Sequence, residues 1–237
     1  MNIIEYIKEN FKDFYIDNGP EHGILQGTKY AGKSTHCSNC MNTLVRMTKP
    51  KSILEIGSYR YTTTKMMSQA MDTYLSEDEG VIHSFDIKLG GYDGGGTSEG
   101  LPKRIVPLHW YPYKTDYDDW KFHDEGIVHK DFKDFTNEEL FIKNEEILKK
   151  YVPENGYDLI FIDGDHSYEG VKKDWEHALT ISHRDTLIVI DNVWDIRLND
   201  VRRFYDELTV HKWDFESWND EHYDANLVQD TAICLTY

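Results

Sequence analysis

Cysteine is scarce in this chain: three among 237 residues, an odd number, which argues against a disulfide framework and for a reducing compartment. Positive charge is also short. Lys plus Arg number 26 against 43 Asp plus Glu, a formal net charge of −17, and a surface of that sign opposes binding to phosphate backbones. No run approaches the about 18 apolar residues of a membrane span. The opening stretch MNIIEYIKENF lacks the basic start and apolar block of a secretory leader. These absences lead us to expect a cytoplasmic protein with neither nucleic acid nor membrane as partner.

Aromatics, by contrast, are plentiful at 14%, chiefly 16 Tyr, and suit a packed core with amphipathic edges or a pocket for a flat or sugar-like ligand. The length suits one α/β domain with embellishments. Residues 2 to 15 place Ile3, Ile4, Ile7, Phe11 and Phe14 on one helical face, and a second helical pattern runs from Ser34 to Met47. Then short apolar runs recur: SILEIG (52–57), GVIHSFDI (80–87), GIVHKDF (126–132), YDLIFIDGD (157–165) and TLIVIDN (186–192). Helical segments at 62–76, 137–151 and 168–182 lie between most of them. Strands alternating with helices imply right-handed crossovers and a doubly wound, mostly parallel sheet covered on both faces. After a helix at 195–208, two last strands at 211–218 and 231–237 bring the expected count to seven, with the final one antiparallel. Ligands of such sheets sit beyond the carboxyl ends of the strands.

Residues 88–125 break the alternation with six glycines, three prolines and a cluster of Tyr and Trp. Most connections run about 4–6 residues, so this stretch reads as a lid-like insertion, with oligomer contact or disorder as alternatives. The expected plan is one domain over 1–237, with 1–50 as an N-terminal helical extension.

GTKYAGKS, residues 27–34, fits the phosphate-loop pattern at Gly27, Gly32, Lys33 and Ser34. Such a loop must follow a buried strand. Only Ile24 and Leu25 precede it, so an NTPase is the weaker reading. SILEIGSYRYTTTKMM is the better strand-then-glycine candidate, because a buried strand ends at Glu55, turns at Gly57 and leads into a helix among Thr62 to Thr64. This segment resembles the first motif of class I S-adenosylmethionine-dependent methyltransferases, and E-x-G-x-Y with a hydroxyl near the helix start is similar to catechol O-methyltransferase and its relatives. The resemblance spans about residues 51–192 and implies a Rossmann-like methyltransferase fold.

Carried over residue by residue, the resemblance implies that Glu55, Gly57, Tyr59 and Thr63 hold the methionine end of S-adenosylmethionine. Asp86 would bind the ribose hydroxyls, a carboxylate being the natural acceptor for two adjacent O–H donors, and Asp131 with Phe132 would lie near the adenine. Tyr61 departs from the pattern by standing where the family usually has a second Gly, so the loop must be shaped differently or the ring must point away.

Asp163 ends the fourth strand, and Asp191 with Asn192 ends the fifth. Three oxygen ligands at one sheet edge select Mg²⁺, Ca²⁺ or Mn²⁺. Metal-dependent members of the resembled family use an Asp and an Asp-Asn pair in these positions. The same residues would also serve as caps, with Asn192 in a left-handed position. His166 stands where those relatives have a general-base Lys, and a group with an ordinary pKa near ~6.5 is able to accept a proton at pH 7. Some metal-dependent sugar O-methyltransferases resemble this DGDH arrangement; a hydrogen-bonded turn histidine is the plainer alternative.

Lower in rank stand His36, Cys37 and Cys40, half a zinc site or plain packing; His22, Lys29 and Lys33, which could reach the cofactor edge; and Trp110, Tyr111, Tyr113 and Trp120, which could shape the acceptor pocket. The expectation is metal-assisted O-methylation of a small hydroxylated molecule such as a sugar, a catechol or a natural-product intermediate. The alternatives are a metal-independent methyltransferase, a protein that binds the cofactor without turnover, and a P-loop-type NTPase. A homo-oligomer is also expected, from the resemblance and the apolar face of the first helix.

Overall fold

The computed structural model describes residues 2–15, 31–87, 89, 99–113, 134–194, 199–215 and 231–235, with the backbone alone for 31–36 and 235. Helix α1 (Ile3–Phe14) starts where the Asn2 side chain accepts the Ile4 N–H at 2.8 Å, relieving one of the orphan amides of a helix start. After α2 (Ala31–Thr48) come β1 (Ser52–Ile56), α3 (Thr62–Met71), β2 (Val81–Asp86) and β3 (Ile105–His109). The chain continues through α4 (Asn137–Tyr151), β4 (Tyr157–Ile162), α5 (Tyr168–Thr180), β5 (Ser182–Ile190) and α6 (Asn199–Glu207). It closes with β6 (Lys212–Asp214) and β7 (Ala232–Leu235). A reciprocal capping box between Thr136 and Glu139 opens α4, and the Ser167 hydroxyl caps α5 through the Gly170 N–H at 3.0 Å.

The described strands form one sheet of seven in the order β3-β2-β1-β4-β5-β7-β6. Pairing is parallel from β3 to β5 and antiparallel only where β7 meets β5 and β6. The expected doubly wound fold is borne out. Strand alternation divides the core by face. Ile53, Leu159, Phe161, Leu187 and Val189 face the side covered by α1, α2 and α3. Leu54, Ile56, Ile160, Ile162, Ile188 and Ile190 face the side covered by α4, α5 and α6. Because both faces are covered, the strands read as continuous apolar runs rather than as alternating ones.

The third strand requires a correction. It lies at Ile105–His109, inside the stretch expected to be an irregular insertion, and pairs in parallel with β2 from Ile82↔Ile105 to Asp86↔His109. Arg104 anchors its start: its guanidinium donates to Asp72 at 2.7 Å and to the Ser76 carbonyl at 3.0 Å. The strand expected at 126–132 lies outside the described residues. The apolar face of α1, on which the expected oligomer partly rested, is covered within the chain. Ile4 and Ile7 are fully buried, and the Phe11 ring lies 4.8 Å from that of Phe215. No described helix is long and apolar enough to cross a membrane.

Candidate active site

Five strands release the chain at one edge, and their exits bring the sequence-predicted residues together. Gly57 leaves β1 with φ +92°, and a Cβ there would stand 2.0 Å from the Asp163 carbonyl oxygen. Only glycine permits that approach of two strand exits. The Gly57 and Ser58 amides both donate to the Phe85 carbonyl, at 2.8 and 3.2 Å, and the Tyr59 amide donates to Asp86 Oδ2 at 2.6 Å. The loop after β1 is thereby fastened to the end of β2. Tyr61 keeps the positive φ of the glycine it replaces, at 63°, as the N-cap of α3. Its ring is fully buried.

Glu55 is wholly buried, and its Oε2 accepts from the hydroxyls of Thr64 and Ser84, the latter at 2.6 Å. The other oxygen, Oε1, has no hydrogen-bond partner among the described residues. Burial pushes its carboxyl up to about 8; the Ser84 and Thr64 bonds oppose the shift, and Asp163 and Asp86 add to it. Thr63, expected to face the cofactor, shares a 2.9 Å hydrogen bond with the Ser38 hydroxyl of α2. Thr64 is the residue that turns toward Glu55.

Across the β1 exit, the Asp163 amide donates to the Ile56 carbonyl at 2.8 Å and the Asp191 amide to the Ile162 carbonyl at 3.0 Å. Each prolongs the ladder by one residue past its strand, placing the two acids at neighbouring exits. His166 Nε2 lies 3.3 Å from Asp163 Oδ1. Asn192 has φ 61°, as the alternative reading required, without losing its side-chain amide. Cys37 of α2 joins this group: its thiol is hydrogen-bonded to Asp191, and burial first, then Asp191 and Asp163, hold its pKa well above the usual thiol range. Among the described residues no three His, Cys, Asp or Glu side chains are gathered as a metal cluster. A cation here would therefore rest on two carboxylates and an amide, a set of hard oxygens suited to Mg²⁺ or Ca²⁺.

Sequence reasoning missed His109 and placed Trp110 in an irregular loop; both leave β3 beside Asp86. The Trp110 amide donates to the Asp86 carbonyl at 2.9 Å, and His109 lies edge-on to Tyr111 with ring centroids 5.3 Å apart. The signal was the apolar run IVPL, masked by Pro107. Asp131, Phe132, Trp120, His22, Lys29 and Gly27 lie outside the described residues, while Gly32, Lys33 and Ser34 fall within the first turn of α2. Trp110 and Tyr113, two of the residues expected to shape the acceptor pocket, are buried.

A strand-glycine-helix exit beside an acid-ended second strand is the arrangement that the sequence resemblance demanded. The model of the methyltransferase domain family matches residues 54–193, more than half of the chain and the stretch that builds this edge. The chain belongs to the methyltransferase domain family.

Solved structures show the same fold for this methyltransferase. The Podospora anserina methyltransferase PaMTH1, solved with S-adenosylhomocysteine, is 15% identical over 99% of this chain and 95% of its own, with a TM-score of 0.55. The O-methyltransferase TomG of Streptomyces achromogenes, involved in tomaymycin synthesis and solved with S-adenosylmethionine, is 14% identical over 100% and 97%, with a TM-score of 0.51. No curated protein matches the chain. The family match and the sheet topology bear out the expected class I, S-adenosylmethionine-dependent methyltransferase.

Proposed function

We propose that this methyltransferase acts on a hydroxyl of a small acceptor, assisted by a divalent cation, with His166 as general base. The observation that carries the reading is the pairing of His166 with Asp163 at an edge that also gathers Asp86, Asp191 and Glu55. Such a concentration of carboxyl groups favours cationic ligands. S-adenosylmethionine fits it as a sulfonium with an ammonium at one end, and the unpartnered Glu55 Oε1 suits that ammonium. Asp86 would hold the ribose, and the loop from Gly57 to Tyr59 would frame the methionine end. When bound, the cofactor supplies an electrophilic methyl group. Asp163, Asp191 and the Asn192 amide would hold the cation, which supplies positive charge that favours deprotonation of a nearby hydroxyl.

Within this frame His166 receives the acceptor's proton. Its bond to Asp163 fixes the ring's orientation, and the carboxylate stabilises the imidazolium that results. The edge of the sheet supplies fixed geometry, the part of catalysis that comes from orientation. An O-methyltransferase among the neighbours of the fold, TomG, agrees with oxygen as the acceptor atom.

The test is calorimetric titration with S-adenosylhomocysteine, with ATP and Mg²⁺ as control, followed by turnover of hydroxylated acceptors with Mg²⁺ or with EDTA. Micromolar binding weakened by Asp86→Ala, and turnover lost in EDTA, is the expected result. Turnover indifferent to EDTA would remove the cation from the reading. Binding of ATP alone would sink it altogether.

A further inference from the structure

We propose that Asp174, in the middle of α5, is a positioning residue that holds the His166 loop and the segment leaving β3 in one fixed arrangement. The inference rests on the methyl-transfer reading above. Asp174 is 1% exposed. The backbone N–H of Asp165, next to His166, and the indole N–H of Trp110, next to His109, both lie near its carboxyl and favour its ionised form. Its Oδ1 has no partner among the described residues. Oδ2 lies against the loop itself, since a Cβ on Gly164 would stand 2.9 Å from it.

This carboxyl thus ties the base's loop to the far side of the site. Trp110 is itself held firmly, with its ring 5.1 Å from Phe85 and 5.2 Å from His177 and its amide on the Asp86 carbonyl. Asn144 then fixes the next residue by accepting the Tyr111 N–H at 2.9 Å and donating to its carbonyl at 3.0 Å. Asp86, Trp110, Asp174, Asp165 and His166 form a continuous path of contacts between the proposed ribose acceptor and the proposed base. Stability alone does not call for a carboxyl here. Burial pushes its pKa well above the usual range, and one oxygen is unsatisfied, so the carboxyl is an expensive group to bury. A local cost of that kind is expected where geometry serves the site.

The test compares Asp174→Asn and Asp174→Leu by hydrogen exchange across residues 163–168 and by steady-state kinetics. Asparagine keeps an oxygen where Oδ2 stands, so exchange and kcat should stay within about threefold of the parent protein. Leucine removes the carboxyl that both N–H groups approach. It should speed exchange at the Asp165 amide and lower kcat about tenfold or more, with the acceptor KM little changed. Should the leucine variant not fold, Trp110→Phe removes one donor while keeping an aromatic ring, and smaller changes in the same two readouts are expected. Parent-like exchange and kcat in a folded Asp174→Leu or Trp110→Phe variant would overturn the inference, as would an asparagine variant as impaired as the leucine one. His166→Ala runs alongside: if it turns over normally, the base assignment has failed, and if it does not, an unchanged kcat in Asp174→Leu counts against Asp174 itself.

Discussion

At the scale of single residues, Glu55 sets a pH dependence. Its carboxyl titrates at about 8 because burial disfavours the charge, and pairing with a ligand ammonium requires the ionised form. Affinity for S-adenosylhomocysteine should therefore rise with pH, by up to roughly tenfold per unit, and level off above about 8. Glu55→Gln should flatten that profile in calorimetry. Stability follows the opposite sign. The folded-state value lies above the unfolded one, so the contribution of Glu55 is full below the ordinary Glu range and is lost as pH rises to about 8. Glu55→Gln should melt above the parent protein at pH 8.5 and show no such advantage at pH 4. His166→Ala should lower kcat by about 10²–10⁴ and abolish the acid limb of its pH profile, read by initial rates from pH 5 to 9. The strand-end acids Asp86, Asp163 and Asp191 were legible because each closes an apolar run. Thr64 and Cys37 were not, since what they touch depends on how α2 and α3 pack across β1, which no local pattern encodes.

Among the elements, legibility followed burial. β1, β2, β4 and the apolar half of β5 are covered on both faces and announced themselves as continuous runs. Among the described strands β3 lies at the edge of the sheet with only Ile105 buried, and the Pro107 within it reads as a break. Helix α1 was visible from its spacing, although Phe14 proves 39% exposed. Its anchor is Phe11, which meets Phe215 and Trp213 at 4.8 and 6.3 Å. Phe11→Ala should cost about 3–5 kcal/mol in denaturant unfolding, a loss that a mere extension would not produce. At the β1 turn, Gly57→Ala combines a positive φ with a clash against Asp163. A loss of about 3 kcal/mol or more is expected, together with loss of S-adenosylhomocysteine binding because two strand exits must separate.

For the molecule as a whole, the division runs across the sheet: one edge gathers the strand-end acids of the candidate site, and the two faces gather the apolar mass. The order of the strands adds a condition on how the protein is made. β7 lies between β5 and β6, so the last of the described strands in chain order fills an interior slot of the sheet. Until residues 232–235 have left the ribosome, β5 presents a row of backbone groups without their β7 partners beside a buried apolar face, and β6 has no neighbour among the described strands. A chain stopped after Asp230 should be recovered as aggregate in sedimentation, with open strand edges as the cause. Assembly of this sheet is a closing step rather than a progressive one, and a nascent chain needs protection until β7 slides in between β5 and β6.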